Sequence, residues 1–344
     1  MTTYKVTLEL RSSLGTPLAA DTLWGHIAWG IRYREGESAL LAWLDRYDQP
    51  EPPLVISNPL PAGFFPRPQI PPPFVSNQDH TREKATEFKR LAKLPWIDHK
   101  AWATVADRLS PEGLQTALLK TAVSSPPTEM AVTRAGINRL TQSTMQPGGA
   151  ALFTQEHLYY DRSRFEVWAI SPEDATTVKR WFRDGLIGGY GRDASAGLGW
   201  VEVISLEQAD LPSVPHANAG ILLAPTVPRC TNPARGFFRL DVRCGRVGGD
   251  FAIFGPNIPH NGPWQRQKRP VFCLLPGSVL FWDGPPPLYV GRTIPGVHPQ
   301  LPTIRHYGMS PVLPCRLDDD LRQHRFLQQT SHPIPEPISS EVSP

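Results

Sequence analysis

The chain has 344 residues, with 35 Lys and Arg against 32 Asp and Glu, a formal charge of +3. Its 40% hydrophobic and 19% charged residues are a folded globular composition rather than a disordered one, and its length suggests two domains. No apolar run, Val271 to Leu275 included, approaches the roughly 18 residues that span a bilayer. Lys5 and Glu9 interrupt the N-terminal apolar residues, unlike a signal or transit peptide. Cys230, Cys244, Cys273 and Cys315 show no CxxC or zinc-type spacing, and read as free thiols. The expectation is a cytoplasmic protein with no membrane contact, no metal and no cofactor. Proline is the outlier: 39 residues is about twice the usual share, which disfavours long helices and favours hairpins and extended loops.

Tyr4, Val6, Leu8 and Leu10 alternate with polar residues, the period of a half-buried first strand. Asp21 is placed to cap a first helix, in which Leu23, Trp24, Ile27, Ala28 and Ile31 recur at helical spacing and His26, Trp29 and Tyr33 share a second face. A short helix near Leu40 to Tyr47 and a strand from Leu54 to Ser57 come next, followed by a proline-rich loop from Pro59 to Phe74. Residues 79–122 suggest two or three helices broken at Pro95 and Pro111; their polar character suggests an insertion, spanning 70–130, outside the core. Strand pattern resumes near Leu152, and Glu156 to Asp161 with Phe165 to Ile170 look like a hairpin turning at Arg162-Ser163. Ser171 is the predicted N-cap and Pro172 the first residue of a helix that carries Val178, Trp181 and Phe182 and ends at Gly185. A glycine-rich segment, Gly188 to Gly199, leads into a strand from Trp200 to Leu206.

With insertions removed, residues 1–206 follow the split βαβ order of ferredoxin-like and RRM-like domains. Residues 207–217 read as a linker, 218–321 as a second, β-rich ferredoxin-like domain, and 322–344 as a disordered tail. The predicted class is α+β.

There are 27 arginines but only 8 lysines. Arginine suits bidentate phosphate contact, although a GC-rich coding sequence raises Arg, Ala, Pro and Gly together. Clustering is more informative. From Arg229 to Arg269 eight basic side chains face two aspartates, Asp241 and Asp250, in a stretch that also holds Phe237, Phe238 and Trp264. Such a mixture fits a nucleic-acid backbone with bases to stack on.

The segment Gly189-Tyr190-Gly191-Arg192-Asp193-Ala194-Ser195-Ala196-Gly197-Leu198-Gly199 holds two GxG units five residues apart. A dinucleotide fingerprint needs a strand before it and a helix after it; here the order is reversed. A Walker A loop needs Gly-Lys-Ser/Thr, which is absent. A mobile hairpin with glycines at positive φ remains as one reading. The other is a phosphate-binding loop, in which the glycines admit a ligand, successive amides form an anion nest, and Arg192 and Ser195 add a charge and a hydroxyl. Tyr190 either stacks on a base or packs inside.

A G-x-G-x5-G-x-G loop between the last helix and last strand of such a domain resembles the signature loop of the RAMP superfamily of CRISPR proteins. Four further segments sharpen the likeness: Ala20 to Trp29; Pro61 to Pro68, which contains Arg67; Thr133 to Arg139 followed by Ala151 to Glu156; and Arg305 to Gly308. Together they resemble the Csm-type RAMP subunit of type III-A effector complexes, of the Cas5-like group, that caps the crRNA 5′ handle. That resemblance implies a non-catalytic RNA-binding subunit. Its partners would be the crRNA 5′ handle, the large polymerase-like CRISPR subunit and the backbone RAMP subunits. The RNA-binding residues it implies are Gly189, Tyr190, Gly191, Arg192, Ser195, Gly197 and Gly199 of the loop, Asp21 and Thr22 at the first helix, and Arg67, Arg134, Asn138 and Arg139. Two other classes stand beside it. Relatives in the superfamily cleave precursor crRNA, and His26 is the candidate general base or acid for that chemistry. A protein scaffold without RNA contact would use Pro71 to Pro73 and Pro285 to Pro287 as extended docking segments.

Overall fold

The computed structural model describes residues 1–73, 82–122, 124–137, 140–146, 149–150, 152–229, 235–253 and 264–322. The elements run β1 (Thr2–Leu10), α1 (Ala20–Glu35), α2 (Glu37–Asp45), β2 (Val55–Ile56), β3 (Leu60–Pro61) and β4 (Phe64–Pro66), then α3 (Arg82–Ala92), β5 (Trp96–Asp98), α4 (His99–Ala103) and α5 (Pro111–Lys120). Next are β6 (Thr128–Ala135), β7 (Met145–Gln146), β8 (Gly149–Ala150), β9 (Leu152–Tyr159), β10 (Arg164–Ser171), α6 (Ala175–Leu186) and β11 (Val201–Gln208). The second half holds β12 (Ala219–Leu222), β13 (Arg235–Phe237), β14 (Leu240–Arg243), α7 (Asp250–Ile253), β15 (Val271–Leu274), β16 (Val279–Phe281), β17 (Tyr289–Gly291), β18 (Met309–Cys315) and α8 (Asp319–Arg322).

The first sheet has the order β11-β1-β10-β2, antiparallel throughout, with β3 also on β10. Alternation in β1 sends Tyr4, Val6 and Leu8 into the core. On the opposite side Lys5 pairs with Glu207 at 2.7 Å, and Arg11 with Glu9 and Glu202, each at 2.8 Å. One face is thus laced with ion pairs while α1 and α6 cover the other. The two helices cross at Gly30 and Gly185: a Cβ on Gly30 would lie 2.6 Å from the Gly185 nitrogen, and one on Gly185 2.9 Å from Ile27 Cα. Gly185 is therefore a packing residue inside α6, not its terminator.

Two large apolar clusters form the core. One joins the first sheet to α1, α2 and α6 and takes in Tyr307 and Met309 from the second half. The other joins Phe65, Trp102, Leu109 and Leu114 to Ile221, Val279 and Leu313. The segment read as lying outside the core thus supplies one side of a core, where each fully buried large side chain stabilises by about 1.5–3 kcal/mol.

Several local expectations are corrected. Asp21 is not the N-cap of α1; it lies inside the helix, and the N-cap position is Ala19, which makes no side-chain capping bond. Ser171 stays in β10, paired with Thr2, with its hydroxyl donating to the Pro53 carbonyl at 2.6 Å. The cap of α6 is Asp174, which accepts from the amides of Thr176 and Thr177. Pro111 does not break a helix but opens α5 behind the cap Ser110. The hairpin expected around Arg162-Ser163 does not form: β9 pairs with β6, while β10 pairs with β1. Residues 207 and 208 extend β11 rather than beginning a linker. The second half forms a sheet of order β13-β16-β12-β18-β17 and a separate β14–β15 ribbon. Among its described residues no helix exceeds four residues, so no long helix there carries a ferredoxin-like pattern. The tail after Arg322 lies outside the described residues.

Candidate nucleic-acid interface

The glycine loop connects α6 to β11 and is closed at its base by the Tyr190 amide donating to the Gly199 carbonyl at 2.7 Å. All four glycines of the motif have positive φ, from 73° at Gly199 to 89° at Gly197, and Asp193 joins them at 63°. Their roles differ. A Cβ on Gly199 would overlap the Tyr190 carbonyl oxygen, one on Gly191 would lie 2.6 Å from Thr16 Cβ, and one on Gly189 2.9 Å from Ala194 Cβ. Gly197 alone borders open space. Three of the glycines therefore serve the protein's own packing, and backbone conformation decides the fourth.

The loop is docked on residues 12–19. The Gly199 amide donates to Ser13 O, and those of Trp200 and Arg192 to the hydroxyls of Ser12 and Thr16, each at 2.9 Å. Tyr190 is only 1% exposed; its hydroxyl accepts from the Ala19 amide at 2.9 Å and donates to the Pro17 carbonyl at 2.8 Å. That settles its side chain as an internal anchor, not a stacking platform. The Gly191 amide donates to His26 Nε2 at 2.9 Å. Burial lowers the His26 pKa to about 4, so the imidazole is neutral and its Nε2 lone pair is already in use.

The remaining loop amides complete the accounting. Ala196, Gly197 and Leu198 donate to carbonyls within the segment, and Gly189 to the Leu186 carbonyl at the end of α6. Among the described residues the successive amides of Asp193, Ala194 and Ser195 have no acceptor. They lie at the loop apex beside the exposed Arg192 and Ser195. The Arg192 guanidinium is held by Glu156 at 3.3 Å and Asp193 at 3.5 Å, surface pairs of the kind worth about 0–1 kcal/mol. An anion can displace them at small cost.

The helix N-terminus expected to meet phosphate is occupied from within. The Ala20 amide donates to Asn58 Oδ1 at 2.8 Å and the Thr22 amide to Asp21 Oδ1 at 2.9 Å. Asp21 itself is clasped by Arg243 of β14 through bonds of 3.1 and 2.9 Å. Burial pushes its carboxyl up, but the charge and hydrogen bonds of Arg243 outweigh that and hold it below the usual value. Arg134 reaches His157 Nε2 at 3.5 Å, and His157 Nδ1 lies 2.9 Å from Ser13 Oγ, so Arg134 is linked to the segment under the loop. Arg67 is elsewhere: its guanidinium donates to the Leu91 carbonyl at 3.5 Å, and no contact among the described residues joins it to the loop. Asn138 and Arg139 lie outside the described residues.

Two features lacked a sequence signal. One is the pairing of β9, whose strand pattern was legible, with β6, which leaves Met130, Leu152, Phe153 and Tyr159 exposed; the two strands are too far apart in the chain for local pattern to join them. Behind the loop a groove of about 1090 Å³ is lined by Leu186, Ile187, Leu198, Trp200 and Val203, with Lys179 and Arg183 among its polar residues.

No family model matches the sequence, and no curated protein matches it. Solved structures do. A chain of the Csm1–Csm4 cassette in complex with pppApA superposes with a TM-score of 0.53 at 16% identity, over 93% of this chain and 100% of that one. A chain of the Csm3–Csm4 subcomplex in the type III-A CRISPR-Cas interference complex gives 0.52 at 14% identity, over 91% and 99%. Csm4 is the component common to both assemblies. The fold is that of these Csm-type chains. At such identities the likeness is one of architecture, and it spans both halves of this chain.

Proposed function

We propose that the chain is a non-catalytic crRNA-binding subunit of a type III CRISPR complex. In this reading it holds the repeat-derived 5′ handle and joins the large subunit to the backbone filament, and its N-terminal half is a ferredoxin-like RAMP domain. The observation that carries the reading is the loop apex: three successive amides without acceptors among the described residues, beside an exposed arginine and serine, while the amides of residues 189–192 and 196–199 on either side are engaged. That array suits a phosphate oxygen of a single-stranded RNA backbone. The exposed Phe153 and Tyr159 of the hairpin add surfaces on which bases can stack.

The geometry of His26 favours a binding role over cleavage. A general base for RNA cleavage must reach a 2′-OH, whereas this imidazole is half-buried with its Nε2 already accepting from the loop. The reading is tested with 5′-labelled crRNA, with and without its handle, across a salt series, using wild type and Arg192→Ala. Handle-dependent binding that weakens with salt and in the variant, with RNA left intact, is the expected result. Cleavage that His26→Ala abolishes would overturn it in favour of a processing nuclease. Absence of handle preference, alone and in the assembled complex, would leave a scaffold.

A further inference from the structure

The β14–β15 ribbon has two unlike faces. Its register pairs Leu240 with Leu274 and Val242 with Phe272 on one face, and Asp241 with Cys273 and Arg243 with Val271 on the other. The second face is engaged: Arg243 clasps Asp21, and Cys273 is buried 3.6 Å from His306 Nε2. On the first face only Leu274 is buried, while Leu240 is 62%, Val242 48% and Phe272 68% exposed, with Phe238 exposed just before the ribbon. Scattered apolar side chains on a surface need no explanation, but a contiguous cross-strand set marks an interaction site.

Charge surrounds this patch. Arg239 stands at one end of the ribbon, and Arg246, Arg266 and Arg269 at the other, where Arg246 bridges to Gln267. All four are exposed and form no ion pair among the described residues. An apolar centre with an unpaired arginine rim is the anatomy of a protein interface awaiting an acidic counterpart.

We infer that this face docks a protein subunit presenting an apolar patch bordered by carboxylates. Two other occupants fit less well. Leu240 and Val242, which make up half of the exposed centre beside Phe272 and Phe238, offer a base no ring to stack on. A second copy brought up by a two-fold axis would set arginine against arginine.

The choice of probes rests on the function proposed above: the purified large subunit and the purified backbone subunit of the same complex, with crRNA as the third. Phe272→Asp places a charge at the patch centre, and an Arg246→Glu/Arg269→Glu double variant reverses the rim at exposed positions that the fold does not need. Each variant is titrated against the three probes, with circular dichroism as a folding check. The expected result is a loss of about 30-fold or more for one protein subunit with Phe272→Asp. The rim variant should bind that subunit more slowly and with weaker salt dependence. crRNA affinity should stay within twofold throughout. Unchanged affinity for both subunits overturns the inference, as does a loss confined to crRNA, or wild-type self-association that Phe272→Asp abolishes. Wild type that binds neither subunit would overturn the functional reading as well. Wild type that binds one, with variants that bind equally, overturns the docking surface alone.

Discussion

Tyr190→Phe tests whether the glycine loop is fixed by its own anchor or merely rests on the surface. Phenylalanine fills the same space, so no cavity contribution arises and the change isolates the hydroxyl. That hydroxyl serves two backbone groups, and their surroundings differ. Ala19 is buried, so its amide, 2.9 Å from the oxygen, is left without an acceptor; an orphaned buried donor costs about 1–3 kcal/mol. Pro17 is exposed, and water can replace the 2.8 Å bond to its carbonyl at little net cost. The expected loss is therefore about 2 kcal/mol, dominated by one amide. Tyr160→Phe is the internal comparison, because its hydroxyl accepts from the amide of the half-buried Leu18 at 3.1 Å, and about 1 kcal/mol is expected there. Urea unfolding monitored by tryptophan fluorescence measures both. A loss below about 0.5 kcal/mol for Tyr190→Phe, or a larger loss for Tyr160→Phe, would refute the reasoning, since burial of the deserted amide is what sets the order.

The remaining predictions use other parts of the same region. Gly199→Ala combines a φ of 73° with overlap against the Tyr190 carbonyl, whereas Gly197→Ala has a φ of 89° facing open space. The first should cost at least about 3 kcal/mol and the second about 1 kcal/mol in urea unfolding. Arg243→Ala leaves the Asp21 carboxylate buried without its partner and should cost about 3 kcal/mol, with Asp21→Asn/Arg243→Met recovering most of it. His26 and His306 both have pKa values lowered from 6.5 to about 4. Burial is the main cause in each; at His306 the charge of Asp21 opposes the shift, while Lys268 and Arg243 add to it. The unfolded chain then binds more protons between those values, so stability is full above pH 6.5 and falls as pH drops towards 4, by up to about 3 kcal/mol per histidine. His26→Gln should flatten its part of that decline in unfolding measured from pH 7 to pH 4. Protonated His26 also loses the Nε2 acceptor for the Gly191 amide, so loop amide exchange should quicken over the same range.

Features written in neighbouring residues were legible in the sequence. The alternation of β1, the apolar stripe of α1 and the four glycines of the loop each depend on contacts within a few positions, and the structure shows the strand, the helix and the positive φ angles. Boundaries failed where a distant partner decided them. Ser171 resembles a helix cap by its neighbours, yet pairing with Thr2 keeps it in a strand. β18 contains Pro311 and Pro314 and gave no strand signal, but it lies buried between β12 and β17.

The candidate site divides in the same way. By itself the sequence determined that a glycine-rich turn with Arg192 and Ser195 at its tip joins a helix to a strand, because backbone freedom and local polarity are properties of the residues present. Only the tertiary structure decided which donors remain for a ligand. Tyr190 and Asp21 are polar residues that a ligand could use, until Ala19, Pro17 and Arg243 are brought against them from as far as 222 positions away. Folding satisfies buried polar groups first, since leaving one unpaired is costly. What is left over at the apex, residues 193–195, follows from the whole chain's hydrogen bonding and cannot be read from the loop alone.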